Sequence, residues 1–98
     1  MTPQNPSQHA RIAADALDRL VHDVQSGRAA WSPHTARQAV DDLTRITTAA
    51  STALQQLAAT LGQQPGPRTA QTVTALHQAG QYTTTAAAQL ATARHTMS

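Results

Sequence analysis

Three observations predict an all-α chain built as an up-down-up three-helix bundle. Apolar residues recur with the 3.6-residue helical period in three long segments, and no segment alternates with period two. Two Gly/Pro-rich interruptions separate these segments. Helix start and stop signals bracket each segment, with Gly27 before Ser32-Pro33 and Gly62 before Pro67. The expected helices cover about 8–26, 33–61 and 67–95. Residues 1–6, with Pro3, Asn5 and Pro6, read as a disordered lead-in, and 7–98 as one helical domain.

Helix 1 is expected to begin after Ser7 as N-cap and to stop at Gly27. At about 100° per residue, Ile12, Ala13, Ala16, Leu17, Leu20, Val21 and Val24 share one half of its circumference. Arg11, Asp15, Asp18, Arg19 and His22 occupy the other half. It is the clearest amphipathic pattern in the chain.

Helix 2 opens on Ser32-Pro33, a capping residue followed by the proline favoured at the first helical position. Steps of four and three place Ala36, Val40, Leu43, Thr47, Ala50, Leu54, Leu57 and Leu61 on an inward seam. Gly62 and the following Gln-Gln-Pro-Gly-Pro end the helix, because no helix crosses Pro-Gly-Pro.

Helix 3 starts near Pro67, with Val73, Leu76, Gly80, Ala87, Leu90 and Met97 along one side. A second stripe of Ala75, Ala79, Tyr82, Ala86 and Ala93 runs beside it, wider than packing in one groove requires. The run Thr83-Thr84-Thr85 has mediocre helical propensity, so contacts with other helices must hold this segment in place.

Composition narrows the function. The hydrophobic fraction is 40%, about half of it Ala, so the core is thin and oligomerisation is a natural remedy. The isoelectric point near 10.5 resembles a nucleic-acid signature. The formal net charge is only +2, however, and the high value arises from Arg in the absence of Lys. Arg without Lys, with plentiful Ala and Thr, fits a GC-rich, bacterial coding genome. With no apolar run long enough to span a membrane and no signal-peptide pattern at the start, a cytoplasmic protein is expected.

After Asp42 there is no acidic side chain. Residues 43–98 carry only Arg45, Arg68, Arg94, His77 and His95 as chargeable groups. A surface so weakly charged repels neighbours poorly and packs readily against another protein. The acids that remain are spaced in fours with Arg, as Arg11–Asp15–Arg19–Asp23 and Arg37–Asp41–Arg45. Such ladders form solvated, charge-matched faces worth roughly 0.2–0.5 kcal/mol per pair.

Catalytic and metal chemistry find no footing. The five histidines have no HxxxH or HExxH spacing, no GxSxG elbow is present, and four glycines form no phosphate-cradling loop. The chain is therefore read as non-enzymatic, with no cofactor and no metal. The expected activity is self-association, as a homodimer or with another helical protein, through the Ala/Thr face of helix 3. Its partner-binding candidates are Ala75, Ala79, Tyr82 and Ala86. Trp31, beside the first turn, either caps the core or anchors a partner. The alternative is nucleic-acid association through Arg28, Arg37 and Arg68 at helix ends, although the two turns of an up-down-up bundle lie at opposite ends.

Overall fold

A computed structural model describes residues 6–27, 30–64 and 66–97. It is all-α, with helices α1 (Pro6–Gln25), α2 (Pro33–Leu61) and α3 (Pro67–Thr96), and no strand among the described residues. The punctuation read from sequence accounts for these limits. Pro33 and Pro67 open α2 and α3 at the position where a missing N–H costs nothing. Gly27 has φ 73°, the left-handed conformation that closes a helix, and its N–H donates to the Val24 carbonyl at 3.2 Å. Gly66 has φ 146°, a region open only to glycine, and turns the chain into α3.

One boundary differs from expectation. α1 begins at Pro6, so Ser7 lies inside its first turn and Pro6 belongs to the helix. Residues 1–5, the rest of the anticipated lead-in, are outside the described residues.

The chain divides into two compact units, Met1–Ser32 and Pro33–Ser98. The first contains α1. A single helix has no interior of its own, and Ile12, Val21 and Val24 are exposed.

The second unit is an antiparallel hairpin of α2 and α3. Asp41 meets Arg94, Ser51 meets Thr84, and Gly62 lies against Val73, so one helix descends as the other climbs. Its tightly packed centre is made of small residues. Ala58, Ser51 and Ala87 are 0%, 6% and 9% exposed, Gly80 is buried, and among the described residues no large side chain is fully buried.

This seam corrects the reading of α2. Ala36, Val40, Leu43, Thr47, Ala50, Leu54 and Leu61 are half-buried as expected. The deepest positions are instead Ser51 and Ala58, and Leu57 is 48% exposed. Two helices approach most closely where both carry small side chains, and the Gly80–Ala87 line of α3 selects the Thr44–Ser51–Ala58 line of α2. The line of Leu43, Ala50 and Leu57 is thereby turned to the side. On α3 the expected row from Val73 to Met97 does face α2, with Gly80 and Ala87 at its centre.

Candidate functional site

The seam gives the hairpin two unlike faces. At about 100° per residue, Ala39, Ile46, Ala50 and Leu57 lie roughly 90–130° to one side of the Ser51–Ala58 line, and Ala53 about 150° round, toward the back of α2. On α3, Ala79, Ala86 and Leu90 lie on the corresponding side of the Gly80–Ala87 line, with Ala75 and Tyr82 further round. Because the helices are antiparallel and face each other, equal offsets in the same rotational sense fall on the same side of the hairpin. The two apolar flanks therefore form one continuous face. Ile46 is 40% exposed and Tyr82 76% exposed, while Ala50, Ala79, Ala86 and Leu90 are half-buried.

The opposite side is polar, with Arg37, Asp41, Thr48, Thr52 and Gln55 on α2 and Thr74, Gln78, Gln81 and Thr85 on α3. The hairpin as a unit is thus amphipathic, although α3 alone is not strongly so. Segregation across both helices is the signature of an element that covers its apolar side with another.

Threonine contributes to this contrast. The hydroxyls of Thr44, Thr47, Thr72 and Thr83 donate to the carbonyl four residues earlier in their own helices. An oxygen tied back in this way leaves the methyl as the outward group and supplies its own hydrogen bond. Thr72 and Thr83, which flank Ala79, consequently add little polarity to the apolar side.

Charge collects at the open end of the hairpin. Arg94 Nε lies 3.0 Å from Asp41 Oδ1, an ion pair between the two helices, and Arg45 Nη1 lies 3.7 Å from Asp42 Oδ1. The expected Arg37–Asp41–Arg45 ladder is thereby rearranged, because Asp41 turns to α3 and Arg45 takes the nearer acid three residues back. Along α1, the Arg11–Asp15–Arg19–Asp23 ladder closes no ion pair among the described residues. His34, Arg37, Gln38, Asp41, Asp42, Arg45 and Arg94 line a shallow depression here, open to solvent. Among the described residues, no three His, Asp or Glu side chains gather in a metal-binding group.

The residues singled out from sequence are distributed unevenly. Ala75, Ala79, Tyr82 and Ala86 share the outer part of the apolar side of α3, with Ala79 and Ala86 nearer the seam. Trp31 stands just before α2, in the first unit, and is 47% exposed. Arg37 is near the open end of the hairpin and Arg68 near its turn, more than about 35 Å apart along the helices. Arg28 lies outside the described residues. Sequence reasoning missed Ile46 and Ala53, because both lie off the Leu-rich seam. Their signal was the seven-residue spacing of Ile46 and Ala53, parallel to that of Ala39.

Comparison with protein-family models, curated proteins and solved structures finds no match for this chain. No helix among the described residues is long and apolar enough to cross a membrane.

Proposed function

We propose that this protein is a non-enzymatic, helical interaction module that self-associates, as a dimer, through the small-residue face of α3. The observation that carries the reading is the apolar side of the hairpin. Tyr82 is exposed amid Ala75, Ala79 and Ala86, small residues that let another helix approach closely. Tyr is an efficient anchor, since it offers large contact area for two rotatable bonds.

The hairpin's interior adds a reason. A seam of Ala, Ser and Gly buries little apolar area, so it stabilises the pair of helices weakly. Association that covers the apolar side supplies what the seam lacks. The surface depressions around Asp42, Ile46 and Ala49 and around Ala70, Thr74 and Ala75 are open, which suits contact with a macromolecule better than enclosure of a small substrate. A cytoplasmic location accords with this reading.

Nucleic-acid association draws less support, because Arg37 and Arg68 stand at opposite ends of the hairpin. Sedimentation equilibrium at micromolar concentration tests the primary reading. Wild type should sediment as a dimer and Ala79→Glu as a monomer. A wild-type monomer, or a dimer indifferent to Ala79→Glu, removes it.

A further inference from the structure

The apolar side is not confined to α3, and that determines what can cover it. Ile46, Ala50 and Leu57 of α2 continue the surface begun by Ala79 and Ala86. From residue 46 to 61, and from 69 to 93, no side chain is formally charged at pH 7 with His neutral. We infer that the occupant is the same two-helix face of a second copy, so that two hairpins stack face to face as a four-helix bundle. This rests on the self-association proposed above and adds α2 as an equal part of the contact.

Dimensions favour this occupant. The apolar side runs from Ala36 to Leu61 on α2, and 25 steps at 1.5 Å make it roughly 38 Å long. Two helices spaced 8–10 Å apart make it about 20 Å wide, giving on the order of 750 Å² per copy. That is close to the ~800 Å² per partner typical of a stable interface. A second hairpin matches both length and width.

Charge points the same way. A face that meets its own copy brings like against like, so any charge on it must be matched by the symmetry or cause repulsion. Between residues 46–61 and 69–93 there is none to match, and Arg68, on the same side of α3 as Ala75 and Ala86, lies past the end of α2. His77 lies on the other side of α3. The aliphatic bulk is uneven: Ile46 and Leu57 stand out from α2 while Ala79 and Ala86 leave α3 low, which provides ridges and grooves for two copies to interlock.

The test compares the dimer dissociation constants of Leu57→Glu, Ala59→Glu and Ala86→Glu by sedimentation, with circular dichroism to verify helix content. A buried, unpaired carboxylate at Leu57 should raise the constant by ~100-fold or more, and Ala59→Glu, on the polar side of α2, by less than ~3-fold. If Leu57→Glu behaves like Ala59→Glu while Ala86→Glu dissociates the dimer, the face-to-face arrangement is wrong and self-association through α3 stands. If Ala86→Glu is also without effect, both fail.

A second measurement covers the case in which Leu57→Glu loses its helices. The chain has no cysteine, so Ile46→Cys and Ala59→Cys each introduce a single thiol. Raising protein concentration from well below to well above the dissociation constant should slow alkylation of Ile46→Cys about tenfold or more, through lost access, and leave Ala59→Cys unchanged. Equal alkylation of the two overturns the inference. So does protection of Ile46→Cys in dilute monomer, because the face is then covered from within its own chain.

Discussion

Ser51 Oγ lies 2.6 Å from Thr84 Oγ1, and both hydroxyls lie within hydrogen-bond distance of the Gly80 carbonyl, at 3.0 and 2.9 Å. Two hydroxyl protons serve three oxygen–oxygen contacts, so the group shares its hydrogen bonds across α2 and α3. It is the polar centre of a seam whose other buried residues are Ala58, Gly80 and Ala87. Small apolar residues slide past one another at little cost, whereas a buried hydroxyl displaced from its partner is costly. The Ser51–Thr84 contact therefore sets the register in which the hairpin closes.

Ser51→Ala should destabilise the hairpin by about 1 kcal/mol, the usual net value of one such hydrogen bond. The cost is limited because Thr84 still donates to the Gly80 carbonyl. A double-mutant cycle with Thr84→Val, followed by urea denaturation, should give a coupling of at least ~0.5 kcal/mol. Additive effects would show that the two hydroxyls act independently.

Gly80→Ala should be neutral or stabilising. A Cβ on Gly80 would meet Gln55 Cγ at 3.5 Å and Leu54 Cβ at 3.9 Å, ordinary van der Waals distances. Replacing a mid-helix glycine with alanine is worth roughly 0.5–1 kcal/mol. Gly80→Leu should instead lower stability by more than ~1 kcal/mol through overpacking. Thermal denaturation of the two variants distinguishes them, and a clear loss with Ala would mean that the helices lie closer than this geometry.

The Asp41–Arg94 pair should contribute little. Its side chains are 54% and 32% exposed, and water screens a pair at that depth. Asp41→Asn is expected to cost under ~1 kcal/mol, and less again in 1 M salt, where the screening length falls to about 3 Å. Denaturation at low and high salt measures both. A large, salt-insensitive loss would make this pair a principal clasp of the open end.

Duplex DNA should not bind. At low ionic strength, where contacts with phosphate are strongest, random-sequence DNA is expected to show no shift in fluorescence anisotropy with this protein. Micromolar binding that weakens steeply with salt, and is reduced by Arg37→Ala or Arg68→Ala, would restore the competing reading.

Much of the fold was legible because its punctuation is explicit. Pro33, Pro67 and Gly27 act through backbone geometry that no neighbour overrides, and α2 and α3 open where their prolines indicate, although Gly66 and not Gly62 supplies the positive φ of the second turn. The seam of α2 was harder to read. Alternating steps of four and three select Leu43, Ala50 and Leu57 beside Val40, Thr47 and Leu54, whereas the closest helix approach depends on the smallest residues of both helices together. The spacing Thr44–Ser51–Ala58 matches Gly80–Ala87 in period, and only a comparison of the two helices exposes it. The candidate surface was half visible for the same reason. Ala75, Ala79, Tyr82 and Ala86 stood out on α3, while the contribution of Ile46 and Leu57 depended on which way α2 turns.

The most direct test of the apolar side as the association surface uses one substitution at two positions on α3. Ala86→Glu and Ala88→Glu are two residues apart, carry the same charge change and share one helix, but face opposite sides of the hairpin. Sedimentation equilibrium at a concentration where wild type is dimeric, at twice the 10.3 kDa chain mass, should show Ala88→Glu still dimeric and Ala86→Glu monomeric. Identical masses for the two variants, or a wild type that stays monomeric, would contradict the account.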